Sequence, residues 1–122
     1  MATSSQTPID FRARQEAREH NELCYQTTCS YHGLPDSSHI AVQATPDAVL
    51  VTATDIDVLA EWLYVMRGTV TTVDLPSGQK VWTLRTQTWT DSPKFPPVPV
   101  FVTVVLPSDE PVMHEITAAV AA

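Results

Sequence analysis

The chain is short of glycine, of basic residues and of long apolar runs, and each shortage argues against a class of protein. Three glycines among 122 residues leave no glycine-rich loop to cradle a phosphate group. Seven Lys and Arg against fourteen Asp and Glu give a net charge of −7, which argues against general binding to nucleic acid or anionic membranes. No apolar run approaches the roughly 18 residues of a membrane helix. We therefore expect neither a nucleic-acid nor a membrane partner.

Motifs of several enzyme classes and of export are also missing. Neither G-x-S-x-G nor H-E-x-x-H occurs in the sequence. The first eight residues, MATSSQTP, contain neither the basic nor the apolar segment of a secretory signal. We expect a cytoplasmic protein that is not an enzyme and whose two cysteines stay reduced.

The balance of apolar and charged residues is typical of one folded domain. Hydrophobic residues make up 43% of the chain and charged residues 17%. A chain of this length buries about two thirds of its unfolded surface, which is enough for a stable core without disulfides or a structural metal ion. Residues 1–6 are small and polar and predict a disordered N-terminal tail. Residues 7–122 are expected to form a single α+β domain.

Periodic patterns predict three helices and five strands. The first helix begins at Thr7 and has a thin inward stripe, formed by Ile9, Ala13, Ala17, His20 and Cys24. The second helix has a broad apolar face, with Thr54 as its N-cap and Gly68 as its terminating glycine. The predicted order is helix 7–24, loop 25–38, strands 39–44 and 48–53, helix 55–67, strands 69–75, 79–89 and 100–106, and helix 108–120.

This order predicts an α+β fold with a single mixed or mostly antiparallel sheet of about five strands and helices packed on one face. The helix between strands 48–53 and 69–75 has the length of a crossover connection, which would make those two strands parallel. Strand 100–106 is apolar at nearly every position, which predicts an interior strand covered on both faces.

Both cysteines and three of the four histidines lie within twenty residues, between His20 and His39. Thiolate and imidazole are ligands that zinc prefers, so this cluster raises the hypothesis of a structural zinc ion. The spacing H-x3-C-x4-C-x2-H matches no established zinc motif, and no glycine between the cysteines helps the backbone fold around an ion. The candidate metal ligands are His20, Cys24, Cys29 and His32.

The same residues have two further interpretations. In the one we favour, Cys24 packs as a small buried hydrophobe, the histidines lie near solvent, and no cofactor is bound. In the other, Cys29 and a neighbouring histidine, His32 or His39, form the centre of a Cys/His enzyme. Nothing nearby in the sequence identifies an oxyanion hole or an orienting carboxylate for such a centre. A Cys24–Cys29 disulfide is disfavoured in a reducing compartment.

Aromatic residues flank a proline-rich segment, residues 91–99, which the sequence predicts to be a stiff loop. Trp89 precedes this loop, Phe95 lies within it, and Phe101 follows it. Aromatic side chains beside a stiff loop are typical of peptide-binding grooves and dimer contacts. They can also form a small hydrophobic core that packs under the loop within the same chain. We take Trp89, Phe95 and Phe101 as the candidate partner-binding residues.

Threonine is frequent in the predicted hairpin, where it is a favoured residue on the solvent face of a strand. We interpret these residues as ordinary surface positions. They are Thr69, Thr71, Thr72, Thr83, Thr86, Thr88 and Thr90.

The sequence as a whole favours a small acidic, non-catalytic binding or regulatory module that works through protein–protein contacts. A complete fold without a recognisable set of active-site residues leaves exposed sheet edges and an aromatic surface for pairing. The expected partner is a protein, and the chain itself is expected to form a homo-oligomer. A zinc-stabilised domain and a Cys/His enzyme are the alternatives.

Overall fold

A computed structural model describes residues 8–35, 39–89 and 96–120, so the predicted tail at 1–6 lies outside the described residues. The predicted α+β class is confirmed, because helices pack on one face of a single five-stranded mixed sheet. The elements are α1 (Pro8–His32), β1 (Ile40–Ala44), β2 (Val49–Ala53), α2 (Ile56–Met66), β3 (Thr69–Asp74), β4 (Gln79–Gln87), β5 (Pro99–Pro107) and α3 (His114–Ala118).

The strands follow the order β1-β2-β5-β4-β3, so the last strand in the sequence occupies the middle of the sheet. β2 and β5 are parallel neighbours, and the other three pairs are antiparallel. β2 and β3 therefore run in the same direction, as the crossover predicts. They are not neighbours, however, because β5 and β4 lie between them.

The hydrophobic core lies between the helices and one face of the sheet. α1 contacts β1 and β2, and α2 contacts β2, β4 and β5. The two helices meet where Tyr25 stacks on Trp62, with ring centroids 5.6 Å apart and planes 13° apart. The largest fully buried side chains include Trp62 and Leu59 of α2, which lie over a layer of strand residues. That layer consists of Val49, Val51, Val70, Trp82, Leu84, Val100, Val102 and Val104.

α2 has nearly the predicted bounds, but its N-cap differs. Asp55, rather than Thr54, caps the helix, because its carboxylate accepts a hydrogen bond of 2.9 Å from the backbone N–H of Asp57. The helix ends at Arg67, whose φ of 63° turns the chain toward Gly68.

α1 is longer than predicted, and its buried stripe is different. The predicted loop at 25–38 is wrong for residues 25–32, which continue the helix to His32. The predicted stripe included Ala13, which is exposed. The buried residues of α1 lie in the second half of the helix, on a side rotated away from the predicted stripe. They are Asn21, Tyr25, Thr28 and Cys29.

α3 is shorter than predicted, with only five residues, His114–Ala118. A helix beginning near Ser108 would have to pass through Pro111, and the residue before a proline is biased away from helical backbone. Ile116, at the centre of the short helix, is fully buried and anchors it to the core.

Candidate protein-binding face

The central strand β5 is covered on one face only. Val100, Val102 and Val104 are fully buried under the helices, whereas Val105, on the opposite face, is 40% exposed and Phe101 is only half-buried. The expectation that strand 100–106 is covered on both faces is therefore wrong for the described residues. No helix formed by residues 8–35, 39–89 and 96–120 packs on this second face, which we call the open face.

The open face is almost free of charge in a strongly acidic protein. Among its strand positions in the described residues, Arg85 is the one charged residue. The Arg85 guanidinium carbon lies 5.6 Å from the centre of the Phe101 ring, so the cation rests on the aromatic surface. The alternating strand positions that form this face are Ala41, Gln43, Leu50, Thr52, Thr69, Thr71, Val73, Gln79, Val81, Thr83, Arg85, Gln87, Pro99, Phe101, Thr103, Val105 and Pro107.

Strand register arranges these side chains in three rows that cross the sheet. The threonine row lies in the middle and joins four strands. On one side of it lies the bulky row, and on the other side lies the shorter valine row. The threonine row is Thr52–Thr103–Thr83–Thr71, the bulky row is Leu50–Phe101–Arg85–Thr69, and the valine row is Val105–Val81–Val73.

The threonine row was not predicted, because its members come from four strands whose order is set by distant pairings. Neighbouring strands lie about 4.8 Å apart, so each threonine contacts the next across the sheet. Thr103 is the one polar residue of strand 100–106 and stands between two valines, which is the one local signal that could have placed it on a surface face.

Trp89, the first of the predicted partner-binding residues, packs against α1 within the same chain. Its ring stacks on Tyr31, with centroids 4.6 Å apart and planes 7° apart. Its backbone N–H donates a 3.1 Å hydrogen bond to the hydroxyl of Thr28. Trp89 is half-buried in this aromatic contact, which also includes the edge of His32.

The other two predicted partner-binding residues have different outcomes. Phe95 lies outside the described residues. Phe101 lies on the open face, between Leu50 and Arg85 of the neighbouring strands. The structure therefore places Trp89 on the helix-covered side and Phe101 on the opposite side of the sheet, and it does not bring the two together.

The predicted zinc ligands all lie on the continuous helix α1. The Nε2 atom of His20 is 3.5 Å from the Sγ atom of Cys24, as expected for an i, i+4 pair. Five residues turn a helix by about 140°, so Cys29 lies on another side from Cys24 and is buried in the core. A site that uses both thiols and His32 requires the helix to unwind after Cys24.

No group of three or more His, Cys, Asp or Glu residues that could hold a metal ion occurs within the described parts of the chain. The zinc site stays a prediction, and the zinc content of the purified, tag-free protein tests it.

The two thiols also bear on the hypothesis of a cysteine enzyme. Burial raises the pKa of the Cys24 thiol, so less of the reactive thiolate is present at neutral pH than in a free cysteine. Cys29 is only 7% exposed. A nucleophile needs the opposite environment, with a lowered pKa and access to substrate.

We expect iodoacetamide to alkylate Cys24 at pH 8 more slowly than it alkylates a cysteine in an unstructured peptide, because the pKa of Cys24 is raised. Cys29 should react more slowly still, since its side chain is shielded. Mass spectrometry of timed samples measures both rates, and the denatured protein is the control, in which both cysteines should react at the peptide rate. Alkylation of either cysteine in the folded protein faster than the peptide would favour a catalytic thiol.

A concavity with a volume of about 680 Å³ lies between α2 and α3. Leu63, Ile116 and Ala119 line its floor. Its carboxylates, Asp57, Glu61 and Glu115, are exposed at the rim, so water surrounds them. The groove therefore offers no desolvated acid or base for proton transfer.

Comparison of the chain with protein-family models, with curated proteins and with solved structures gave no match. None of the helices in the described residues is long and apolar enough to cross a membrane. The argument for function therefore depends on the surfaces of the chain itself.

Proposed function

We propose that this chain is a small acidic, non-catalytic module that acts through protein–protein contacts, with the open face as its contact surface. The observation that carries the proposal is the composition of the central strand. β5 is apolar toward both sides, with Phe101 and Val105 on the side that the described helices leave uncovered. Contiguous exposed apolar surface on a folded protein marks a site of interaction.

The near absence of charge on the open face supports the same function. The centres of protein interfaces are depleted of charged residues, while the rest of a protein surface is rich in them. This chain carries fourteen acidic and seven basic residues, yet Arg85 is the one charged strand residue on the described open face. A protein partner with an uncharged surface that covers the described strands of this face therefore desolvates one ionised strand side chain, Arg85, and no carboxylate of those strands.

The non-catalytic character and the cytoplasmic location are parts of the same proposal. Their support is the environment of the thiols: the two cysteines are not joined in a disulfide, Cys24 has a raised pKa, and Cys29 is buried. Free thiols are typical of proteins in a reducing compartment. A regulatory role would follow if the contact on the open face changes the activity of the partner.

The test uses a photo-crosslinking amino acid in the cells that make the protein. Benzoyl-phenylalanine replaces Val105 on the open face, and in a matched control it replaces Tyr64, which is 76% exposed on α2. We expect protein adducts from position 105 and few from position 64. Addition of Phe101→Glu should reduce the adducts at 105, because it places a charge in the apolar contact.

Equal labelling at positions 105 and 64, or adducts at 105 that Phe101→Glu leaves unchanged, would contradict the proposed contact surface. Circular dichroism of each variant confirms that the fold is retained before the adducts are compared.

A further inference from the structure

We infer that the occupant of the open face is a second copy of this chain, stacked sheet on sheet about a two-fold axis parallel to the threonine row. This inference depends on the proposed function of the open face and names its partner. Three observations carry it: the charge of the face, the sizes of the side chains in its rows, and the area that it offers.

Charge favours a second copy at this face over a second copy elsewhere. Two molecules with a net charge of −7 repel each other wherever their acidic surfaces meet. On the open face the described strands contribute no acidic side chain, and the cation of Arg85 rests on Phe101. Two copies that meet by this face bring together surfaces whose one charged strand residue, among the described residues, is Arg85, and they keep their carboxylates apart.

The rows fit each other when one copy is turned over about an axis parallel to the threonine row. This rotation places each threonine row on its counterpart and exchanges the two flanking rows. The bulky row of one copy then lies against the valine row of the other, so that Phe101 faces Val105 and Arg85 faces Val81. Large side chains meet small ones, as interdigitation of sheets about 10 Å apart requires.

A two-fold axis parallel to the strands gives a worse fit. That rotation would place the bulky row on the bulky row and the valine row on the valine row. The large side chains would hold the two sheets apart, and the two valine rows would leave a gap. The side-chain sizes therefore select the first axis.

The area is suited to a reversible dimer. Five strands about 4.8 Å apart, with a mean length of about seven residues that rise about 3.3 Å each, outline a flat footprint of about 500 Å². Because side chains protrude from the sheet, the accessible area of the face is larger than this flat footprint. It approaches the roughly 800 Å² that each partner buries in a standard interface. We expect dissociation constants in the range of roughly 1–100 µM, as for other interfaces at the small end.

The first test measures association of the purified full chain by sedimentation velocity between 5 and about 300 µM, a range set by the expected affinity. Wild type should shift from monomer to dimer. Thr103→Lys places two ammonium groups face to face at the axis and should weaken the dimer by at least about 100-fold. The matched control is Thr27→Lys, at an exposed position of α1, which should dimerise as wild type does.

The second test identifies the axis and does not depend on a charge inserted in the sheet. The sheets face each other about 10 Å apart, which is too far for a direct disulfide, so the test uses a short bifunctional thiol reagent. It should link Thr103→Cys to its own counterpart in the second copy, because that position lies at the axis. In a mixture of Phe101→Cys and Val105→Cys, the link between 101 and 105 should exceed the 101–101 and 105–105 links. Peptide mass spectrometry assigns each link, and wild type, with Cys24 and Cys29 alone, gives the background.

Failure of this inference is distinguishable from failure of the proposed function. A chain that stays monomeric up to about 300 µM, while position 105 still labels a different protein in cells, overturns the second copy and leaves the open face as a contact surface. Monomeric protein with no adduct at 105 overturns both. A dimer whose dominant link is 101–101 overturns the axis, and a dimer indifferent to Thr103→Lys overturns the face.

Discussion

Replacement of Trp62 by alanine should lower the free energy of unfolding by about 3–5 kcal/mol, the usual cost of removing a buried large aromatic side chain. Trp62 is fully buried in the centre of α2 and stacks on Tyr25 of α1, so it joins both helices to the sheet. Its loss leaves a cavity that the neighbouring strands fill only partly. Chemical denaturation followed by far-UV circular dichroism measures the effect without relying on tryptophan fluorescence.

Two further variants separate packing from other causes. The indole N–H of Trp62 is buried and has no hydrogen-bond partner among the described residues. Trp62→Phe removes this group while it keeps most of the ring, and we expect it to cost about 1 kcal/mol. Tyr64→Ala, on the exposed side of the same helix, should change stability by less than about 0.5 kcal/mol. A loss for Trp62→Ala no larger than that for Tyr64→Ala would contradict the central position of Trp62 in the core.

Replacement of Gly68 by alanine should destabilise the protein by more than about 3 kcal/mol, because two costs combine. Gly68 has a φ of 136°, where residues with a side chain are strained. A Cβ atom added there would lie 2.3 Å from the carbonyl oxygen of Arg85, which is backbone and cannot turn aside. Thermal and chemical denaturation measure the loss.

The other two glycines are matched controls. They also have a positive φ but no close neighbour, so alanine there measures the backbone strain without the clash of the added Cβ atom. Gly33 and Gly78 have φ values of 65° and 83°, and a Cβ atom added at either meets nothing within 4 Å. Gly33→Ala and Gly78→Ala should therefore cost only about 1–2 kcal/mol each. If Gly68→Ala costs no more than they do, the end of α2 and β4 are less tightly apposed than the structure indicates.

Local patterns predicted those elements whose signals lie within a few residues of each other. α2 combines an apolar face with capping residues at both ends, and the hairpin of β3 and β4 turns at Pro76, Ser77 and Gly78. β1 and β2 flank a turn at Thr45, Pro46 and Asp47, where proline is favoured. These signals were sufficient for the fold class, because one sheet with helices on one face follows from the order and lengths of the elements.

The second half of α1 was missed because its residues favour turns when they are considered alone. Thr27, Thr28 and Ser30 compete with helical backbone through their hydroxyl groups. In the folded chain the hydroxyl of Thr28 donates to the carbonyl of Cys24 at 2.8 Å and accepts the backbone N–H of Trp89. Contacts with residues distant in sequence therefore decide this region, and they also place Cys24 and Cys29 on one helix.

The candidate site itself was only partly predictable. Phe101 was recognised as an aromatic residue near a stiff loop, but its face and its neighbours depend on the position of β5 between β2 and β4. The threonine row requires three separate pairings in register, and none of them is visible from local periodicity. The apolar character of strand 100–106 did indicate two covered faces, and the described chain supplies a cover for one of them.

The position of β5 also constrains how the chain reaches its native state during synthesis. β1 with β2, and β3 with β4, form two ribbons that are joined only through β5, which pairs with β2 on one side and with β4 on the other. Two-stranded ribbons are at best marginally stable alone. Until residues 99–107 are available, Val49, Val51 and Leu84 therefore lack the neighbouring strand that completes their layer of the core.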